Sequence, residues 1–527
     1  MGALTLKSLA FYLRNWDTEK SESIDPTDGF GSSTRVYVNN SQIVQIEPEY
    51  DIYTFNTWLS DKGRQFFDSM SWSKSINSNS WIKITRSIIK VIYLSDHCNK
   101  QINKKSFFTI IFENVSLEVL SLLIIINQNY SFVNIKRAEN FDINNNLESF
   151  FQTGLTTNNR IKLSNSSMCL LISTNPRYEG YILNLSLRQR YFKGNFKCFS
   201  VGSLINLTFP VSFLNSNVSS IKSITEGKNL ICQSLKISKN PLILYNNELL
   251  KRSDGKSVVK IIQVLKYLNI FNNSWNNISC FSSTISETGN QSIAKFLPVK
   301  KADLYHFSIL YLLNVNIDKF SNLKQITNFK LLNLENKFFN LNKLVLDQSY
   351  ENFQNFDLFN KNLKDKKTNY LFIPASIFYE NEETFINTEG LIKRTSKIIF
   401  RKKTKNHWQL LRKFLKLIKT CVTFYTLKDN QLVAVDLKNL SRFKNFIYFN
   451  YLATQSLANI NFYLFTRTNY FYILNNKFKI NQQKIVNTKL KYWLDDFYIN
   501  GRDEYSKNSL IMTNCSKILR LQNSNFF

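Results

Sequence analysis

The sequence is poor in the residues from which metal sites, phosphate loops and tight turns are made. Its 527 residues include 7 Cys, 3 His, 13 Gly and 7 Pro. The cysteines are scattered from Cys98 to Cys515 without a C-x-x-C or a paired Cys/His spacing, which argues against a zinc or iron-sulfur site built within this chain. An odd count in no framework also argues against a secreted disulfide scaffold. His97, His306 and His407 stand far apart with no carboxylate or cysteine pattern beside them, so each reads as a surface or packing histidine. No G-x-S-x-G, H-E-x-x-H or G-x-G-x-x-G is present. Apolar runs such as Leu117 to Ile126 fall short of the roughly 20 residues that span a bilayer. The expectation is a chain with no catalytic residues, no metal ligands and no membrane span.

Three fragments imitate catalytic signatures and fail on chemistry. Gly255-Lys256-Ser257 resembles the end of a P-loop, but Leu250 stands where the first glycine is required, so the backbone cradle for phosphate is missing and a helix start is the default. Asp495-Asp496 resembles the paired aspartates of two-metal phosphoryl transfer, with nothing else of a polymerase around it. Met1-Gly2 suggests myristoylation, but Leu6 occupies the Ser/Thr position.

What is present is a large apolar and basic complement. With 43% hydrophobic and 20% charged residues the chain is globular, and its length accommodates two to four domains. A net charge of +30 raises a nucleic acid or an anionic surface as partner. However, Lys, Asn, Ile, 44 Phe and 25 Tyr use A- and T-rich codons, whereas the scarce Gly and Pro use G- and C-rich ones. Much of the basicity therefore reads as nucleotide bias of an organelle genome. The absence of an Arg-rich, acid-poor presequence suits an organelle-encoded protein.

Periodicity divides the chain. Thr34 to Val38 and Gln42 to Glu47 are period-two runs joined across Asn39-Asn40-Ser41, the chemistry of a hairpin, and Trp58 to Met70 closes this part with a helix started at Ser60-Asp61. Strands then alternate with helices: Phe107 to Phe112, a helix from Ser116 through Ile126, and Tyr130 to Ile135 form one βαβ unit. Met168 to Ser173, a turn through Thr174-Asn175-Pro176-Arg177, a helix Glu179 to Arg190 and Phe196 to Val201 form a second. Pro241 to Tyr245 opens a third with a helix from Asp254 through Leu268, and Tyr305 to Val315 and Tyr370 to Pro374 are later strands. Asn322 to Lys367 has poor periodicity, and Asn406 to Lys419 is an amphipathic helix. The expected class is α/β: a small β-rich domain at 1–70, α/β domains at 71–235 and 236–400, and a C-terminal helical extension at 401–527.

Ordered motifs carry a resemblance. Gly2-Ala3-Leu4-Thr5-Leu6-Lys7, Ser21-Glu22-Ser23-Ile24-Asp25, Gly31-Ser32-Ser33-Thr34-Arg35-Val36 and Trp58-Leu59-Ser60-Asp61-Lys62 are similar to the large iron-sulfur subunit of respiratory complex I. So are Thr174-Asn175-Pro176-Arg177-Tyr178-Glu179, the Asp254-Gly255 helix start, Phe385-Ile386-Asn387-Thr388-Glu389-Gly390 followed by Trp408, and Asp496-Phe497-Tyr498. The resemblance implies a small β domain followed by Rossmann-like domains of the molybdopterin oxidoreductase type.

In that family a cluster-binding segment precedes G-A-L-T, with its last cysteine in C-P-x-G-A-L-T. The resemblance therefore implies a split subunit: no cofactor in this chain, and iron-sulfur clusters on a partner chain that places Met1, Gly2, Ala3, Leu4 and Thr5 beside a cluster. Residues 1–97 hold no cysteine. The turn Asn175, Pro176 and Arg177 sits where relatives hold the pterin and is expected to be a relic. The implied role is a structural, non-catalytic part of the peripheral arm, on the matrix side of the mitochondrial inner membrane, with other peripheral-arm subunits as partners. A molybdopterin-dependent oxidoreductase and an organellar RNA-binding or ribosomal protein are the competing readings, the second resting only on charge.

Overall fold

The computed structural model describes residues 13–50, 58–69, 108–130 and 133–138, most of 163–267 and 278–299, 309–315, 343–348, 368–372, most of 376–399, 406–428, and a few positions within 487–490 and 509–518. Fifteen strands are described. β1 (Glu19–Ile24), β2 (Ser33–Asn39) and β3 (Gln42–Pro48) are followed by β4 (Phe108–Phe112), β5 (Val133–Arg137), β6 (Met168–Ile172), β7 (Lys197–Val201) and β8 (Ser212–Asn215). Then come β9 (Pro241–Asn246), β10 (Ile278–Phe281), β11 (Ile309–Leu313), β12 (Lys343–Gln348), β13 (Thr368–Phe372), β14 (Thr384–Ile386) and β15 (Ile392–Arg394).

The first three strands form an antiparallel sheet in the order β1-β2-β3. The turn between β2 and β3 has Asn40 at φ 48° and Ser41 at φ 65°, the left-handed pair that matches strand twist in a two-residue hairpin and that Asn tolerates best among non-glycine residues. Thr34, Val36 and Val38 are buried, while outward Arg35 and Tyr37 bond Glu49 and Glu47, each at 2.7 Å. Ser60 Oγ accepts from the Gly63 N–H at 3.0 Å and starts the helix Asp61–Gln65, as the Ser-Asp pair predicts.

Two five-stranded parallel sheets follow, ordered β13-β12-β11-β4-β5 and β10-β9-β6-β7-β8. Their central strands are buried along their whole length, which explains why they read as unbroken apolar runs and not as alternation. The first sheet is built from two separated stretches of chain, with the whole second sheet between them. The expected boundary at residue 235 falls inside the second sheet, between β8 and β9.

One face of the first sheet is covered by the helices Leu117–Asn129 and His407–Lys428. Leu410, Leu411, Phe414, Leu415 and Ile418 belong to that core, with Phe414 stacked on Tyr311 at 5.2 Å, so the beginning of the expected C-terminal extension is core structure. The second sheet carries Val218–Thr225, Ile231–Ile237 and Gly255–Tyr267 against Leu170 and Ile172, and Tyr181–Phe192 against Leu171 on its other face. β12 lies in the stretch 322–367 that periodicity leaves unplaced. Ser116 precedes the helix Leu117–Asn129 without a side-chain cap bond, so apolar burial, not capping, holds that start. No described helix is long and apolar enough to cross a membrane.

Candidate functional site

The motifs that are far apart in sequence meet at one buried junction. The loop after β1, Asp25 to Ser32, runs between the α/β body and the turn after β14. Thr388 N–H and Thr388 Oγ1 both donate to the Gly29 carbonyl at 2.8 Å, and Asn387 Nδ2 donates to the Phe30 carbonyl at 3.0 Å. Tyr181 OH bonds Ser32 Oγ and the Trp58 carbonyl, the latter at 3.1 Å, so the helix after the Asn175 turn grips the same loop. Lys62 Nζ donates to the Thr27 carbonyl at 3.3 Å. Gly29 lies against the Ser282 carbonyl so closely that a Cβ would collide with it, and Gly31, at φ 58°, faces Ile285.

This junction buries charge. Asp25 accepts from Thr27 N and Oγ1 at 2.9 and 2.6 Å, and Asp28 from the Phe30 N–H at 3.2 Å and from Ser32 Oγ at 3.4 Å. Burial, reinforced by the Asp25 carboxylate, lifts Asp28 to about 8 against the pull of the Phe30 N–H, Lys62 and Ser32, so it is protonated at neutral pH. Burial and the same two carboxylates also raise the Tyr181 phenol well above its ordinary value. Such groups hold a joint in one arrangement, because each buried polar atom must keep its partner.

The turn Asn175, Pro176 and Arg177 lies just past β6. Asn175 Oδ1 caps the Arg177 N–H at 3.2 Å, Pro176 takes the first helical position, and Glu179 Oε2 accepts from Thr174 Oγ1 and Asn175 N at 2.9 and 3.1 Å. Arg177 reaches the Asn206 carbonyl at 3.3 Å. These contacts fix the shape of the turn against its neighbours.

A second buried cluster joins the start of β14 to the first turns of the helices Leu117–Asn129 and His407–Lys428. Thr384 N and Oγ1 donate to Glu118, the latter at 2.7 Å, and His407 Nδ1 stands 3.8 Å from Glu383 Oε1. Burial, then Glu118, raises Glu383 to about 8, and burial lowers His407 to about 4, so both are neutral near pH 7. His407 is buried at the start of its helix. No group of three or more His, Cys, Asp or Glu able to hold a metal occurs among the described residues. His97, His306, Asp495, Asp496 and the segment Met1, Gly2, Ala3, Leu4 and Thr5 lie outside the described residues.

Sequence reasoning places Asp25, Lys62 and Asn387 within motifs without assigning them a role. Their spacing of up to 362 residues leaves no local signal for a shared site.

The comparisons with known proteins agree with this architecture. Residues 90–417 match the molybdopterin oxidoreductase family, and the chain belongs to it. Residues 18–68 match the 4Fe-4S domain of the NADH-ubiquinone oxidoreductase NDSU1/NuoG-like type. The chain is 25% identical over 450 residues to the NADH-ubiquinone oxidoreductase 75 kDa subunit of Reclinomonas americana, covering 81% of this chain and 61% of that protein. It is 23% identical over 412 residues to the mitochondrial NADH-ubiquinone oxidoreductase 78 kDa subunit of Candida albicans, covering 75% and 52%. Against an NADH-quinone oxidoreductase subunit of Rickettsia felis it is 25% identical over 338 residues, covering 62% and 48%. The chain therefore resembles the large iron-sulfur subunit of complex I over most of its length while spanning about half to six-tenths of these relatives.

The 4Fe-4S match corrects the expectation that iron-sulfur character belongs wholly to a partner chain, because a domain of the iron-sulfur class lies within this one. The matched span, residues 18–68, takes in β1 to β3 and the helix Asp61–Gln65. Residues 18–68 themselves include neither Cys nor His, so thiolates for a cluster would come from outside this span.

Proposed function

We propose that the chain is a structural body of the complex I large subunit, holding its place in the peripheral arm on the matrix side of the mitochondrial inner membrane and carrying no catalytic centre of its own. The observation that carries this reading is the junction, where the family's motifs expend their donors on one another and on buried main chain. A catalytic site would instead direct such groups at a cleft. The partners are other peripheral-arm subunits.

Affinity isolation from mitochondria followed by native electrophoresis and mass spectrometry tests the reading. Complex I subunits are expected in the same band. Ribosomal proteins in place of respiratory subunits would overturn it, and stoichiometric molybdenum or tungsten in the isolated material would favour the oxidoreductase reading.

A further inference from the structure

In open parallel sheets a ligand lies outside the carboxyl ends of the strands, where the strand order reverses. In the second sheet that point falls between β6 and β9, because the chain passes from β6 to β7 and β8 on one side and then crosses to β9 and β10 on the other. The segments leaving these ends are Ser173 to Asn175, Gly202, Ser216-Asn217 and Leu249 to Asp254.

Residues from far down the chain are seated among them. The Leu490 N–H donates to the Ser216 carbonyl at 2.8 Å, Lys489 pairs with Asn217 as an antiparallel bridge, and the Ser219 N–H donates to Asn487 Oδ1 at 3.2 Å. Arg252 Nη1 donates to the Lys489 carbonyl at 3.0 Å. Leu490 is 2% exposed, shares a core cluster with Val201, Val218 and Leu249, and lies beside Gly202, which in turn touches Ser173.

The charge pattern agrees with the packing. The helix Gly255–Tyr267 begins at this end of the sheet, where a phosphate would find donors in a nucleotide-binding fold. Here Asp254, itself buried, places a carboxylate at that start, and Arg252 clasps it through Nε and Nη2 at 2.8 and 3.1 Å. A phosphate would meet a fixed negative charge, and the guanidinium that could have offset it is committed to Asp254 and to the Lys489 carbonyl.

We propose that Lys489-Leu490 is a built-in filler of the ligand crevice: the chain closes in cis the place where a pterin or nucleotide would lie, and Arg252 bolts the filler to the sheet. This rests on the non-catalytic reading above and deepens it, since the crevice is occupied by polypeptide and not awaiting a cofactor.

The test uses the bridge between Asn217 and Lys489. In the full chain, Asn217→Cys with Lys489→Cys places two thiols across an antiparallel pair, within the range a disulfide spans. Diamide, an azo oxidant, takes one hydrogen from each thiol and is reduced to the hydrazine as the sulfur–sulfur bond forms. The expected result is rapid, near-complete loss of both new thiols, seen as a linked peptide by mass spectrometry and absent from each single variant. NADH:quinone turnover of complex I containing the cross-linked chain should be unchanged.

Thiols that stay free under diamide would overturn the proposal, as would turnover that falls on cross-linking and returns with dithiothreitol, because the segment would then have to leave. Should the double variant fail to accumulate, hydrogen exchange on the unaltered protein decides. Slow exchange at the Leu490 N–H supports the filler, and exchange at the free-peptide rate overturns it. The cross-link forms or fails in the full chain whether or not that chain assembles with respiratory subunits, so its outcome is separable from that of the structural reading.

Discussion

Asn387 donates its side-chain amide to the main-chain carbonyl of Phe30 at 3.0 Å across 357 residues of sequence. With the paired bonds from Thr388 to the Gly29 carbonyl, it fastens the small antiparallel sheet to the body. Asn387→Ala leaves a buried carbonyl short of its partner, which costs about 1–3 kcal/mol. Urea unfolding should show a lower midpoint of that order with the denaturant slope unchanged; an unchanged midpoint would show that the bond contributes nothing.

Gly29→Ala should be worse than Asn387→Ala. Its Cβ would run into the Ser282 carbonyl, which is main chain and cannot swing aside as a side chain can. Loss of soluble full-length protein is expected, or failure to enter the native assembly on a gel. A variant as stable as the parent would mean that the loop and Ser282 are not in contact.

The pH dependence of stability carries the signature of Asp28. Its folded value of about 8 lies above its ordinary 3.8, so the folded chain keeps a proton that the unfolded chain gives up. Stability from this group is full below its ordinary value, declines as pH rises between the two, and levels off above the folded value. Asp28→Asn keeps an acceptor for the Phe30 N–H and removes the titration, so melting temperature should fall less than in the parent between about pH 5 and about pH 8. Parallel profiles would place Asp28 outside the buried junction.

Glu383 and His407 contribute with opposite signs. Glu383, raised to about 8, loses stability as pH rises from its ordinary 4.5, whereas His407, lowered to about 4, loses stability as pH falls below its ordinary 6.5. Between 4.5 and 6.5 the two slopes oppose, and above 6.5 only the decline from Glu383 is left. Glu383→Gln should therefore make the upper decline shallower, leaving the part due to Asp28, and keep the low-pH loss in place. Chemical denaturation at a series of pH values would show it, and an upper limb unaffected by the change would refute the assignment.

Thiol labelling should rank the cysteines. Cys169 and Cys198 face each other across the β6–β7 pair, both buried, and burial with the neighbouring thiol pushes Cys169 well above the usual value. Cys280 is raised in the same way, first by burial and then by Glu287. Cys232 is only half buried, so iodoacetamide should modify it before these three in the native protein, with all four reacting after unfolding. Early labelling of Cys169 would contradict the packing of the second sheet.

How far the fold was legible depended on how local each signal was. β4, β6 and β9 appear in sequence as unbroken apolar runs because both of their faces are covered, and the Asn40-Ser41 hairpin was visible from the alternation on either side. β12 was not, because Lys343, Asp347 and Gln348 break the apolar run and its place comes from pairing with β11 and β13. The expected boundary at 235 lies between two strands of one sheet, and no residue near it marks how strands far apart will pair. At the junction, the turn through Thr174-Asn175-Pro176-Arg177 was legible between an apolar strand and a helix, whereas the caps supplied by Asn175 and Glu179 were seen only in the structure. The raised Asp28 was not legible, since burial is supplied by Tyr181, Ser282 and Thr388, none of them near it in the chain.

The two-piece construction of the first sheet has a consequence for synthesis. Phe108 in β4 pairs with Ile309 in β11, about 200 residues later, and at the pace of about 5–20 residues per second at which chains are made this is roughly 10–40 s. For that interval the growing chain holds an apolar strand whose β11-facing edge has no partner, while the entire second sheet is made and can close on itself. A newly made chain is therefore most exposed to aggregation in mid-translation, and arrested nascent chains ending near residue 300 should bind chaperones more heavily than those that include β11 through β13.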